Sequence, residues 1–127
     1  MAAKMVIVWR NDLKVRSGKK MSMAAHSSIA FLLHRLKETG KKNQFHIDLD
    51  PVEQEWINSG QTKITLQVDN EAELMAIYQK AKGAGLEVNL IIDAGRTEFD
   101  GPTKTCIAIG PDIAEKIDPI TSHLKLH

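Results

Sequence analysis

Met5-Val6-Ile7-Val8-Trp9 is an apolar run with no polar residue alternating through it. A strand that alternates apolar and polar residues has one wet face, whereas a strand without alternation is covered on both. The run therefore predicts a strand buried between two layers of helix, which restricts the chain to three-layer α/β architectures. At 127 residues, 43% of them hydrophobic, the chain is long enough for one domain over residues 1–127 with a substantial core.

The other elements follow from periodicity. Over about residues 21–39, Ala25, Ile29, Leu32, Leu33 and Leu36 recur at steps of three and four and predict a helix with that stripe buried. Gly40 marks its end, and residues 41–49 read as a polar connection. Asp50-Pro51-x-Glu53 is a capped helix start, and Val52 and Trp56, one turn apart, predict its inward face. Trp56 thus reads as core rather than as a platform for a base. Lys63 to Val68 alternates, as a half-exposed or edge strand does. Asn70-x-x-Glu73 caps a further helix with Leu74, Ile77, Tyr78 and Ala81 inward, ended by Gly83-Ala84-Gly85. Val88–Ile92 and Thr105–Ile109 are two more strands, and Gly110-Pro111 leads into a short helix with Ile113 and Ile117 inward.

The expected fold is α/β: a single three-layer domain with a four-stranded mixed β-sheet flanked by helices on both faces. The third and fourth strands are joined too closely for a helical crossover, so that pair is expected to be antiparallel.

Composition excludes several classes. No run approaches the ~20 apolar residues of a membrane span, and no signal-peptide core opens the chain, so a cytoplasmic protein is expected. Cys106 is the only cysteine, which rules out an intrachain disulfide and a cysteine zinc cluster; inside CIAI it reads as a buried, inert thiol. The five histidines make no HExxH and no paired ligand spacing, so no metal is expected, and GxSxG and GxGxxG are absent. The net charge of +1 hides an asymmetry: residues 1–42 carry +8 and residues 43–127 carry −7. A basic segment of this kind suits a polyanion such as nucleic acid, unless folding interleaves it with the acidic half.

The chemistry concentrates in two places. The first is Lys14-Val15-Arg16-Ser17-Gly18-Lys19-Lys20, a basic loop ahead of a helix, able to hold phosphate but without P-loop spacing. The second is IIDAGRTEFDGPTKTCIAIGP, residues 91–111, which puts Asp93, Arg96, Thr97 and Thr105 at one end of two neighbouring strands. Strand ends of α/β sheets are where such folds place ligands; the plainer alternative is an Asp93–Arg96 ion pair in a solvated turn. If functional, Asp93 would orient or deprotonate water, Lys19 or Arg96 would stabilise a phosphate or an oxyanion, and Thr97 and Thr105 would donate hydrogen bonds. His26, one or two turns into the first helix, reads as a structural hydrogen-bonder or as a site residue. Hydrolysis of an activated ester and nucleotide recognition both fit, and spacing alone does not choose.

These motifs resemble the type-2 peptidyl-tRNA hydrolases, the archaeal and eukaryotic form of that enzyme. MVIVWRNDLKVRSGKKMSMAAH is similar to the family's first strand, RxDLKM, GKGK loop and histidine-bearing helix, and INSGQTKITLQV to its glycine turn and second strand. DAGRT, Thr105, IGP and IDPITSHLKL resemble its C-terminal half. The resemblance implies hydrolysis of the ester between peptide and tRNA, the mixed four-stranded sheet, a homodimer, and no cofactor. By position it implies catalytic roles for Lys19, Asp93, Thr97, Thr105 and His26. Asp93 would act on water, Lys19 and the threonines on ester charge, and His26 would help form the tRNA-end site. Lys14, Arg16, Lys20 and Arg96 would bind tRNA.

Several positions depart from the family pattern. Arg16 and Ser17 replace its loop glycine and first lysine, Met23 replaces a helix glutamine, Ile92 takes an often polar position, and residues 38–50 are longer. A catalytically weak relative serving as an RNA- or protein-binding module is the alternative, and a hydrolase of smaller esters is a third reading.

Overall fold

A computed structural model describes residues 2–127. The elements in order are β1 (Ala3–Arg10), α1 (Ser17–Arg35), β2 (Lys37–Glu38), β3 (Phe45–His46), α2 (Pro51–Asn58), β4 (Lys63–Val68), α3 (Glu71–Gly83), β5 (Val88–Asp93), β6 (Thr103–Ile113), α4 (Ala114–Thr121) and β7 (Lys125–Leu126). The main sheet runs β5-β6-β1-β4-β7. β1 lies parallel to β4, and every other neighbouring pair is antiparallel, β5 with β6 included as the short connection requires.

β1 is central and buried on both faces, as its unbroken apolar run demands. Met5 and Ile7 face a cluster with Phe31 of α1 and Trp56 of α2. Val6 and Val8 face the opposite cluster, with Leu74 and Ile77 of α3 and Ile117 of α4. The Phe31 and Trp56 rings meet edge to face at 5.9 Å, and the Trp56 indole N–H donates to the Thr62 carbonyl at 2.8 Å. Trp56 is therefore core. Asp50 and Glu53 form a reciprocal capping box at the start of α2.

Three expectations need correction. The main sheet has five strands, not four. The fifth, β7, is two residues pairing with Leu66 and Gln67, too short to leave a periodic signal, and it makes β4 an interior strand. Residues 41–49 do not form a plain connection, because Lys37–Glu38 and Phe45–His46 pair as a separate hairpin. β6 continues through Gly110-Pro111 to Ile113, so Ile113 ends a strand rather than facing inward from a helix.

α1 begins at Ser17 and ends at Arg35, and its buried stripe is displaced from the expected one. Ser27, Ala30 and Phe31 are buried, whereas Ile29 is 46% exposed, Leu33 51% and Leu36 38%. Small residues at 27 and 30 let the helix lie close on the sheet. The Ser27 hydroxyl is satisfied by the Ala24 carbonyl at 2.7 Å, so its burial leaves no orphaned donor. Of the apolar residues that periodicity selects for the core, Leu32 packs against it, whereas Ala25, Ile29, Leu33 and Leu36 face outward. No helix among the described residues is long and apolar enough to cross a membrane.

Candidate active site

β5 ends at Asp93, and the chain then folds over itself. Gly95 has φ +82°, and a Cβ there would stand 2.5 Å from the Gly101 carbonyl carbon, so only glycine lets the loop close. The Gly95 N–H donates to Asp93 Oδ1 at 2.9 Å. Lys19 reaches across from the first turn of α1; its Nζ donates to Asp93 Oδ2 at 2.8 Å and to Thr97 Oγ1 at 2.6 Å. The Lys19 side chain is 13% exposed and that of Asp93 9%. The Lys19 hydrogen bond, with help from Gly95, holds the Asp93 carboxyl below the usual carboxylate range.

The loop is tied to the start of α1 by a contact between distant segments. Glu98 Oε1 accepts from the Arg16 backbone N–H at 3.1 Å and from Arg16 Nε at 3.3 Å. Arg16 is the N-cap residue of α1, which has no side-chain cap and no acidic residue in its first turn. Glu98 supplies from the loop the backbone bond that a capping-box glutamate makes from within a helix. Phe99 places its ring 5.8 Å from Lys19 Nζ, within cation–π range.

The remaining candidate residues take varied positions. Thr105 is fully buried and its hydroxyl donates to the Ile91 carbonyl at 3.1 Å; it makes no side-chain hydrogen bond to Lys19 or Asp93. His26 is exposed, seven residues beyond Lys19 on α1 and therefore about 10 Å along its axis. Met23 lies between them in sequence and packs against Trp9, Ala30, Ile91 and Cys106. Gly18, Lys19 and Lys20 belong to the helix rather than to a loop before it. Lys20 Nζ sits 3.3 Å from His127 Nε2. Arg96 is exposed and does not pair with Asp93, whose ion-pair partner is Lys19 instead.

Folding interleaves most of the basic segment with the acidic half. Lys4, Arg10, Arg16, Lys19, Arg35 and Lys37 each pair with a carboxylate beyond residue 42. Among the described residues Lys14, Lys20, Lys41 and Lys42 make no ion pair. Lys14 and Lys20 lie at the site end of α1, and Lys41 and Lys42 in the hairpin at its other end. Cys106 is buried, and desolvation pushes its thiol up to about 11, the condition of an inert side chain.

An ionised carboxylate fixed at both oxygens can orient a water and take its proton. Lysine has three donors; two are spent on Asp93 and Thr97, which leaves one N–H for a developing negative charge. This is the equipment of ester hydrolysis without a covalent intermediate.

The model of the family Peptidyl-tRNA hydrolase PTH2 matches residues 3–127. The chain belongs to that family. Among its relatives, "Peptidyl-tRNA hydrolase" of Methanocaldococcus jannaschii is 42% identical over 123 residues, covering 97% of this chain and 98% of the relative. The "Peptidyl-tRNA hydrolase" of Methanopyrus kandleri is also 42% identical over 123 residues, covering 97% of each chain. "Probable peptidyl-tRNA hydrolase 2" of Drosophila melanogaster is 39% identical over 123 residues, covering 97% of this chain and 61% of its own.

In this member of the family, sequence reading missed Glu98 and Phe99. Both stand inside the 91–111 stretch, but neither has a spacing that marks it. Only the approach of the loop to α1 reveals the Glu98–Arg16 and Phe99–Lys19 contacts.

Proposed function

We propose that the chain hydrolyses the ester bond of peptidyl-tRNA, releasing free tRNA and the peptide, with residues 1–127 acting as one domain. The observation that carries this reading is the Lys19–Asp93–Thr97 cluster, a fixed carboxylate beside an ammonium with an unused donor. Asp93 takes a proton from water as the water oxygen attacks the ester carbonyl. Lys19 stabilises the resulting oxyanion, and Thr97 holds the ammonium in place. Collapse breaks the bond to the ribose oxygen, which receives the proton. Thr105 supports the strand end through Ile91, and exposed His26 belongs to the substrate-binding surface. Lys14, Arg16, Lys20 and Arg96 contact tRNA phosphates, so binding weakens steeply as salt rises.

The chain acts as a cytoplasmic homodimer in this reading. What supports the dimer is the outward face of α1, where Met21, Ile29 and Leu33 are exposed, continued by exposed Leu36 just past the helix and Phe45 in the following hairpin. No charged residue interrupts residues 21–34. A contiguous apolar face of this kind suits a second copy of itself.

The test is release of N-acetyl-amino acid from N-acetyl-aminoacyl-tRNA. Asp93→Asn should lower turnover by about 10²–10⁴-fold, the range for a positioned general base. Lys19→Ala should lower it by about 10²–10³-fold, as loss of an oxyanion donor does. Wild-type protein that binds tRNA without turning over this substrate would sink the reading.

A further inference from the structure

β5 is an open edge of the main sheet: it pairs with β6 on one side and with no strand on the other. Antiparallel ladders alternate between residues bonded across the pair and residues whose N–H and C=O point away. The Gly110 N–H donates to the Glu87 carbonyl, so in this register Asn89 and Ile91 bond toward β6. Val88 and Leu90 therefore turn their N–H and C=O groups to the open edge. Exposed edges are blunted by a bulge, a proline, a lysine or a covering element. Val88–Asp93 contains no proline or lysine, and the one register irregularity of the pair, between Ile91 and Ile92, lies beyond Leu90, so Val88 and Leu90 stand on a regular stretch; Ile92 is 55% exposed.

The edge leads to the site. α1 runs antiparallel to β5, with Lys19 bonded to Asp93 at one end and His34 bonded to Asn89 at the other. His26 and Ala30 lie between these on the same stripe, so α1 lies over the face of β5 that carries Asn89, Ile91 and Asp93, with exposed His26 part-way along it. Asp93 ends β5, so an ester attacked there stands at the end of the open edge. A peptide there can have any sequence, and main-chain pairing is the recognition that does not read side chains.

We propose that the open edge of β5 takes the peptide of the substrate as an added parallel strand. Its C-terminal residue stands at Asp93, and its preceding residues pair with Leu90 and then Val88. This rests on reading the Lys19–Asp93 cluster as a peptidyl-tRNA hydrolase site. At about 3.3 Å per residue, Leu90 lies about 10 Å and Val88 about 17 Å from the ester. The edge thus rewards peptides of three to five residues through their backbone.

The experiment compares N-acetyl-aminoacyl-tRNA with N-acetylated di- to pentapeptidyl-tRNAs sharing one C-terminal residue, together with singly N-methylated versions of each. Each backbone bond gained should lower KM by about 2- to 10-fold, with alanine and polar sequences equivalent and kcat little changed. N-methylation should erase the gain at alternate positions only. Val88→Pro, which removes an outward N–H at the first residue of an edge strand, should cost the gain for the longest peptides and spare N-acetyl-aminoacyl-tRNA. A KM independent of length, or insensitive to N-methylation at every position, would overturn the proposal while turnover of N-acetyl-aminoacyl-tRNA kept the site reading intact. Absence of turnover on every substrate would overturn both.

Discussion

α1 carries an ion-pair centre at each end, and the two are built differently. At the C-terminal end, Arg35 bridges Glu53 and Glu87 with its guanidinium fork. Glu53 is buried and also accepts from the Asp50 N–H, while Glu87 accepts from the Asn89 side chain. Every carboxylate there serves two elements at once, so the cluster joins α1, α2 and β5. At the N-terminal end, a single ammonium holds Asp93 and Thr97, and the elements joined are a strand end and an irregular loop. The ammonium keeps one donor unused, and the loop depends on Gly95 and Glu98 for its shape. One centre locks three regular elements together around a buried carboxylate; the other holds a strand end to an irregular loop and keeps a free ammonium N–H beside a fixed carboxylate. Both look alike as pairs of opposite charge. What separates them is the burial of Glu53 and the kind of element each centre ties down.

That contrast is sharpest under substitution. Asp93→Asn should produce the largest effect on turnover and a small one on stability. Arg35→Met should do the reverse: it leaves Glu53 buried without its cation and should cost about 3 kcal/mol of unfolding free energy, measured by urea denaturation, with kcat/KM for N-acetyl-aminoacyl-tRNA largely kept. A variant that lost turnover while remaining fully stable would break the division between the two ends.

Acid titration gives an intermediate effect. Asp93 has its pKa lowered in the folded state, so the stability it contributes is present above its unfolded pKa. That contribution is lost only as pH falls through the folded value, below the ordinary 3.8. The carboxylate therefore stays ionised, and kcat/KM should show no carboxylate limb down to about pH 5. Lys19 is the largest cause of the depression, so in the residual activity of Lys19→Ala the acid limb should move up toward the usual carboxylate range. An unmoved limb would mean that another group sets it. The smallest effect is on association. Ile29→Lys should shift the protein from dimer to monomer in sedimentation equilibrium without lowering kcat, and a dimer that persisted would place the contact elsewhere.

Much of the fold was legible along the chain. The unbroken run at Met5–Trp9 requires burial on both faces, and the Asp50 and Asn70 caps carry their bonding partners three residues away. Close in sequence, such features depend on nothing remote. The α1 stripe was not legible, because Ser27 and Ala30 bury through close approach to the sheet, which hydrophobicity does not rank. β7 was equally hidden, since two residues carry no period.

By itself the sequence determined the three-layer architecture, the strand buried on both faces, the caps and the residue types available at the two strand ends. Local conformation and hydrophobic burial set those within a few residues. The tertiary structure alone decided that Lys19 meets Asp93, 74 positions away, and that Arg96 does not. It alone pinned the loop by Glu98, left four of the ten early lysines and arginines without ion pairs among the described residues, and turned Ile29, Leu33 and Leu36 outward. A side-chain hydrogen bond acts over about 3 Å, and only the folded chain brings such distant residues within that reach.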